Sequence, residues 1–216
     1  MLNTFCEGRE DGDTIIFIHG WPDDHTLWDQ QVVAHLKSRF RCVTVDLPGF
    51  ESPNGGKIKE QQRWGLDTKD VVHELEVTIE SVARGKPVVL VAHDWGSLYG
   101  MLLEQKRPDL VSRMVALDVG GVVRPGLFGT LLLVTYQGWL VLAFLLGWPI
   151  GNAMARLVAY LFRAPSYPRR SRSWAFICYP YWRFWVQLST GKASRPLMPS
   201  CPLLYLHGSS GMKKYL

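Results

Sequence analysis

The chain has 216 residues, of which 47% are hydrophobic and 20% are charged, and its formal net charge is +5. These values predict one globular domain and exclude a disordered chain, a collagen-like repeat and a disulfide scaffold. All 19 acidic residues lie between Glu7 and Asp118, whereas the residues after Asp118 include 11 Lys and Arg and no acid. The first part has a net charge of −6 and the second +11, so the two parts are expected to face different surroundings.

The four cysteines, at positions 6, 42, 178 and 201, show neither C-x-x-C pairing nor a histidine cluster at metal-ligand spacing. This arrangement is typical of core thiols in a reducing compartment, and it predicts no metal or other cofactor. Residues 1–13 lack the basic start and apolar run of a secretory signal. We therefore expect a cytoplasmic protein. A nucleic-acid partner is not predicted, because no recognition motif accompanies the basic second part.

Short apolar runs alternate with helical patterns along the chain. The apolar runs predict strands at Thr14–Ile18, Arg41–Val45, 87–92, 114–117 and 203–207. Helical spacing predicts helices over 25–40, from Thr68 to about Val82 with Asp67 as the N-cap, and from Ser97 to about Lys106. This alternation predicts a doubly wound, mostly parallel α/β sheet with helices on both faces.

A long segment rich in Trp, Tyr and Arg interrupts the alternation. It predicts a core at residues 1–120, a helical insertion at 121–199 and a partial return to the core at 200–216. Within the insertion, residues 131–146 are apolar except for Thr135, Tyr136, Gln137 and Gly138. The uninterrupted part is shorter than the ~20 residues that a membrane-spanning helix needs, and a Gly-Trp-Pro sequence then breaks it.

Three interpretations of this apolar stretch stay open: a membrane span, a helix buried at a membrane interface, and an ordinary buried helix. The ordinary buried helix is favoured. The polar pair Tyr136 and Gln137 in mid-stretch favours a helix that faces a cavity.

Residues 92–96 (AHDWG) form a small-x-Asp-x-small pattern between a predicted strand and a predicted helix. Such a turn holds its central residue in a strained conformation above the sheet, at a helix N-terminus. The pattern predicts Asp94 as a nucleophile that forms an alkyl ester with a carbon electrophile. In the competing interpretation Asp94 only caps the helix. Ser97 is disfavoured because the glycine that G-x-S-x-G requires two residues earlier is lacking.

These residues resemble the α/β-hydrolase superfamily and, within it, the epoxide hydrolases and their haloalkane dehalogenase relatives. Residues 19–22 (HGWP) resemble the family's HGxP turn, and residues 93–96 (HDWG) its aspartate elbow. The resemblance implies an α/β-hydrolase fold with a helical lid. It also implies an oxyanion hole made by the backbone N–H groups of Trp21 and Trp95. An aromatic residue at position 21 favours the epoxide hydrolases, since many dehalogenases carry asparagine there.

The resemblance further implies the roles of four residues around Asp94. Tyr136 resembles the lid tyrosine that donates a hydrogen bond to the epoxide oxygen, and Tyr181 is the candidate for the second tyrosine. Gln137 and His93 are implied to line the substrate site. Aromatic packing is the competing interpretation for both tyrosines.

The resemblance is incomplete at both ends of the chain. Too few residues precede Thr14 for the family's first strands, and the family's last strand and helix, with its histidine base, are missing after Leu216. Glycine stands where the family's triad acid usually follows the strand at 203–207. Some relatives place this acid after the preceding strand, which here implies Asp118 as the candidate. In the competing interpretation Asp118 only bonds nearby backbone N–H groups. His207 is a poor substitute for the base. Ester formation without efficient turnover is therefore expected.

We accordingly expect a hydrolase that opens epoxides of hydrophobic substrates through an aspartyl ester. One alternative is a catalytically impaired fragment whose basic, Trp-rich insertion contacts an anionic membrane surface. A further alternative is a haloalkane dehalogenase-like hydrolase. The oligomeric state is not predicted.

Overall fold

A single mixed sheet forms the centre of the protein in the computed structural model, which describes residues 1–50, 63–117, 126–164, 174–194 and 196–206. The strand order is β1-β3-β2-β4-β5-β6. Only the β1–β3 pair is antiparallel, and the other neighbours pair in parallel. The strands are β1 Thr4–Gly8, β2 Thr14–Ile18, β3 Arg41–Val45, β4 Val88–His93, β5 Val111–Leu117 and β6 Leu203–Leu206. The predicted α/β fold with a mostly parallel sheet is confirmed.

Strand β1 is absent from the sequence prediction, which allowed no strand before Thr14. It pairs in register with β3, Thr4 opposite Val45 and Gly8 opposite Arg41. Its residues are partly or fully exposed, so the segment lacks the apolar run by which the other strands are recognised. Leu2 anchors it from one end, because its side chain is buried and its N–H donates to Thr78 Oγ1 at 2.9 Å.

The continuous helix predicted over residues 25–40 is wrong. The structure has a 3₁₀ turn at His25–Leu27, a π-helical turn at Asp29–Val33 and one α-turn, α1, at Ala34–Leu36. The Trp28 carbonyl accepts from the N–H groups of both Val32 and Val33, which widens the helix at that point.

Helices α2, Thr68–Val82, and α3, Trp95–Lys106, agree with the prediction. The predicted capping bond of Asp67 is not formed. Its carboxylate instead accepts from Arg183 and from Gln187 Nε2. Asp67 therefore ties the start of α2 to the segment that follows β5 in the chain.

Three helices lie between β5 and β6: α4 Leu127–Leu146, α5 Ile150–Leu161 and α6 Tyr179–Ser189. We call residues 126–164 and 174–194 the helical insert. The buried Tyr179 hydroxyl donates to the Pro48 carbonyl at 3.0 Å and so fastens α6 to the loop after β3. In α4, only Gly129, Leu140, Ala143 and Phe144 are fully buried. The interpretation of the apolar stretch as an ordinary buried helix is therefore wrong.

Two apolar clusters cover the sheet. The larger joins β2–β5 with α2, α3 and the helical insert. The smaller packs Trp28 and Val33 against Ile15 and Phe17 of β2. Because β2 and β4 lie in the middle of the sheet, the loops that follow them are supported from both faces.

Candidate active site

Asp94 is the single residue between the end of β4 at His93 and the start of α3 at Trp95. Its φ of 51° and ψ of −122° place a non-glycine residue in a conformation that costs about 1–3 kcal/mol. The chain turns here with no room for a loop, so the Asp94 side chain stands at the N-terminus of α3 rather than in the sheet. This is the strained turn that the sequence pattern predicts.

The turn depends on two glycines. A Cβ on Gly96 would lie 2.4 Å from the His19 carbonyl oxygen, and a Cβ on Gly20 would lie 2.6 Å from the Asp94 Cβ. Both distances are shorter than any ordinary carbon contact, so larger residues would separate β4 from the loop after β2. The small flank at Gly96 and the glycine of the HGWP sequence are thus physically required.

Two backbone N–H groups lie next to the Asp94 carboxylate. The N–H of Trp21 donates to Oδ2 at 2.8 Å, and the N–H of Trp95 lies near enough to the carboxylate to lower its pKa. Burial raises the pKa of Asp94, while the His93 side chain and these N–H groups act in the opposite direction. The two N–H groups expected to form an oxyanion hole therefore both face the Asp94 side chain.

Two tyrosines from the helical insert meet above the elbow. The hydroxyls of Tyr136 in α4 and Tyr181 in α6 are 2.6 Å apart. Burial raises the pKa of each well above its usual range, and the negative charge of Asp94 raises both further. Both phenols therefore stay protonated and able to donate at neutral pH.

The ring of Tyr181 also packs on the two tryptophans whose N–H groups are expected to form the oxyanion hole. It meets the ring of Trp21 edge-on at 6.0 Å and that of Trp95 at 5.1 Å. Tyr181 is thus placed beside Tyr136, Trp21 and Trp95 together, although its register in the sequence is ambiguous.

The two residues implied to line the substrate site have different surroundings. The Gln137 Oε1 accepts from the Trp185 indole at 3.0 Å, so this amide connects α4 to α6. His93 precedes Asp94, and its buried Nδ1 has no hydrogen-bond partner within the described residues.

The histidines near the sheet have structural roles. His19 accepts from the Leu47 N–H at Nε2 and donates from Nδ1 to the Gly20 carbonyl, a tautomer assigned from this network. His25 bonds Asp46 Oδ1 through Nδ1 at 2.8 Å and stacks on Phe5. Asp46 follows β3, which β2 separates from the elbow strand, and its bond to His25 holds that ring in the segment after β2.

The predicted acid Asp118 and the substitute base His207 lie outside the described residues. Asp23 is an acid near the site that the sequence analysis missed. It is buried, its N–H donates to the Gly20 carbonyl, and its charge raises the pKa of Asp94. Its place immediately after HGWP was the available signal. Among the residues that the structure describes, no cluster of three or more His, Cys, Asp or Glu could hold a metal ion.

Residues 15–211 match the model of the alpha/beta hydrolase family. The chain belongs to this family. The fold resembles a Bacillus megaterium epoxide hydrolase, with a TM-score of 0.65 and 18% identity, covering 99% of this chain and 85% of that one. It also resembles a haloalkane dehalogenase variant from Bradyrhizobium elkanii, with a TM-score of 0.68 and 16% identity, covering 97% of this chain and 77% of that one. These likenesses confirm the α/β-hydrolase fold.

Curated relatives of this hydrolase carry different names. The chain is 34% identical over 118 residues to the "Probable oxidoreductase EphD" of Mycobacterium tuberculosis, covering 53% of this chain and 18% of that protein. It is 28% identical over 121 residues to "Epoxide hydrolase 1" of Caenorhabditis elegans, covering 56% of this chain and 28% of that protein. The chain thus matches less than a third of the length of either relative.

Proposed function

We propose that this α/β hydrolase opens epoxides of hydrophobic small molecules through an ester on Asp94. The observation that carries the proposal is the meeting of one partly buried carboxylate with two protonated tyrosines whose hydroxyls lie 2.6 Å apart. An epoxide needs a nucleophile at carbon and a proton donor at oxygen, and this arrangement offers both.

The two carboxylate oxygens of Asp94 have different surroundings. Because Oδ2 accepts from the Trp21 N–H, we assign the attack to Oδ1. Oδ1 forms a bond to the less hindered epoxide carbon as the carbon–oxygen bond of the ring breaks. The released alkoxide takes a proton from Tyr136 or Tyr181. Oδ2 then becomes the carbonyl oxygen of the ester, already facing its N–H donors.

Hydrolysis of the ester is the slow step in this proposal. Water must attack the ester carbonyl, and the N–H groups of Trp21 and Trp95 would stabilise the resulting oxyanion. His19 and His25 are engaged elsewhere, so neither is available as the base that activates this water. Asp118 remains the candidate orienting acid. The ester is therefore expected to accumulate.

Intact-mass spectrometry after incubation with styrene oxide or a fatty-acid epoxide tests the proposal. The wild-type mass should rise by that of one epoxide, since opening the ring adds every atom of the substrate. Asp94→Asn should show no adduct, whereas Asp23→Asn, which changes the neighbouring buried acid, should retain it. Tyr136→Phe and Tyr181→Phe should each slow adduct formation, by about 10²-fold or more if that tyrosine supplies the proton. An adduct that persists in Asp94→Asn would contradict the proposal.

A second candidate, haloalkane dehalogenase-like chemistry, is favoured by the indoles of Trp21 and Trp95. Both Nε1 atoms are buried without a hydrogen bond of standard geometry among the described residues, although they approach Cys178 and Tyr181. Such donors suit a leaving halide. Incubation with 1-bromohexane distinguishes the candidates, because halide release without an epoxide adduct would support the dehalogenase.

The site contains few polar groups and many aromatic side chains. We therefore propose an apolar or aromatic substrate. We also propose that the protein acts in the cytoplasm, as the reduced cysteines suggest. Cys6, Cys42, Cys178 and Cys201 are all free thiols in the structure.

A further inference from the structure

Helix α5 buries small residues and exposes several large apolar ones. Its fully buried residues are the small ones, Gly151, Ala155 and Ala159, which lie at a spacing of four. Other large apolar residues face outward, with 64% of Leu161 and 48% of Leu157 exposed, whereas Met154 and Val158 are partly buried against the core. A surface helix of a globular protein normally buries its large apolar residues. The outward face of α5 is therefore suited to an apolar neighbour.

Helix α4 and the turn after it continue the same exposed surface. Leu127 is 91% exposed and Trp148, in the turn between α4 and α5, is 79% exposed. Of the 24 exposed large hydrophobic residues in the described chain, 15 lie between Leu127 and Phe162. Monomeric soluble proteins rarely expose so continuous an apolar surface, and such surfaces mark interaction sites. We call the exposed residues of α4, α5 and the turn between them the outer face.

Helix α4 is apolar and long enough to cross a membrane, yet only 22% of its most apolar window is buried within the protein. It is nevertheless attached to the domain along its length. Leu140 and Ala143 are fully buried, the Trp139 indole donates to the Met154 carbonyl of α5, and Tyr136 bonds Tyr181. A helix that spans a bilayer would have to break these contacts. The attachment favours a helix that lies along a membrane surface.

The charges identify the kind of surface. Arg156 and Arg163 lie exposed in and after α5, and no Asp or Glu follows Asp118 in the chain. A second copy of the chain would bring the same cations against this face, whereas anionic lipid head groups complement them. We propose that the outer face docks on the surface of an anionic lipid bilayer. This inference is independent of the chemistry at Asp94.

Vesicle flotation of the full chain tests the docking. The protein should float with vesicles of phosphatidylcholine and phosphatidylserine, and added salt should weaken the binding because it screens the cations. Leu157→Gln/Leu161→Gln should lower the partition coefficient by about tenfold or more, because two anchoring side chains become polar. Val77→Gln, a change of the same kind at an exposed site on α2, is the matched control and should float like the wild type.

A second pair of variants isolates the charges. Arg156→Gln/Arg163→Gln should lower binding to the anionic vesicles by roughly thirtyfold. Lys69→Gln/Arg113→Gln, which removes two exposed cations outside the helical insert, should not. Equal binding to anionic and pure phosphatidylcholine vesicles would overturn the role of the charges. A protein that floats with neither vesicle would overturn the proposal, as would self-association that the Leu157→Gln/Leu161→Gln variant abolishes. Circular dichroism of each variant checks that it is folded.

Discussion

Asp94 combines two features that destabilise the folded state. Its backbone has a positive φ of 51°, and its carboxylate is partly withdrawn from water, which raises its pKa. The N–H groups of Trp21 and Trp95 lower this pKa, but they offset only part of the effect of burial. Strain and desolvation at one residue are typical of a functional site rather than of a helix cap.

We therefore expect Asp94→Asn to unfold at higher denaturant concentration than the wild type at pH 7. A carboxyl with a raised pKa binds its proton more tightly in the folded state. Ionisation of Asp94 therefore lowers the free energy of unfolding. This loss is absent at a pH below the pKa that Asp94 has in the unfolded state, grows as the pH rises towards its pKa in the folded state, and is complete above that pKa. The free energy of unfolding of Asp94→Asn should exceed that of the wild type by about 1 kcal/mol, the usual gain when a residue kept for function is replaced.

Urea denaturation from pH 3 to pH 8 measures this difference, with Asp13→Asn, at an exposed carboxylate, as the control. The stability advantage of Asp94→Asn should shrink as the pH falls through the folded pKa of Asp94. A wild-type protein more stable than Asp94→Asn across the whole range would contradict a raised pKa.

Several residues of the candidate site could be predicted because their signals are local. The elbow around Asp94 and the HGWP turn are read from adjacent residues, and each depends on a glycine at a fixed offset. Asp23 was missed although it follows HGWP directly, and the surroundings of Tyr181 required three-dimensional information. The position of Tyr181 beside Tyr136 depends on the packing of α6 against α4, which no local pattern records.

At the scale of secondary-structure elements, α4 and α5 approach each other unusually closely. A Cβ on Gly151 would lie 1.9 Å from the Ala143 carbonyl oxygen, whereas a Cβ on Gly138 would meet nothing within 4 Å. These two glycines therefore differ in kind. Gly151 permits the contact between the helices, and Gly138 only weakens α4.

We expect Gly151→Ala to destabilise the protein by about 1–3 kcal/mol, because backbone cannot yield as a flexible side chain can. Gly138→Ala should stabilise it by about 0.5–1 kcal/mol, the usual gain at an exposed helix interior. Thermal or urea denaturation of the two variants gives the comparison. A neutral Gly151→Ala would show that α4 and α5 are less closely packed than the structure indicates.

Elements with a strong apolar pattern could be predicted, and elements shaped by tertiary contacts could not. Strands β2 to β6 carry apolar runs, whereas the exposed edge strand β1 does not. The π-turn at Asp29–Val33 depends on how Trp28 and Val33 pack against β2, and sequence periodicity does not encode it. The side chain of Asp67 bonds α6 in place of its own helix for the same reason.

At the scale of the whole molecule, the change of charge after Asp118 follows the architecture. The core contains every acid, and the helical insert combines exposed apolar surface with cations. The insert also supplies Tyr136 and Tyr181 to the site above Asp94. The helices that supply the two tyrosines therefore include α4, which also contributes to the proposed membrane face.

Attack of Asp94 on an epoxide carbon would leave the opened epoxide on a single side chain, and peptide mapping of the reacted protein locates it. Trypsin should release residues 85–106, since the bond before Pro87 resists cleavage, and this peptide contains two carboxylates, Asp94 and Glu104. Glu104 is buried and accepts from Ser200 and Cys201, so it is not free to react. Tandem mass spectrometry should place the mass of one epoxide on Asp94. An unmodified peptide from protein that carries the adduct elsewhere, or a modified Glu104, would contradict the account.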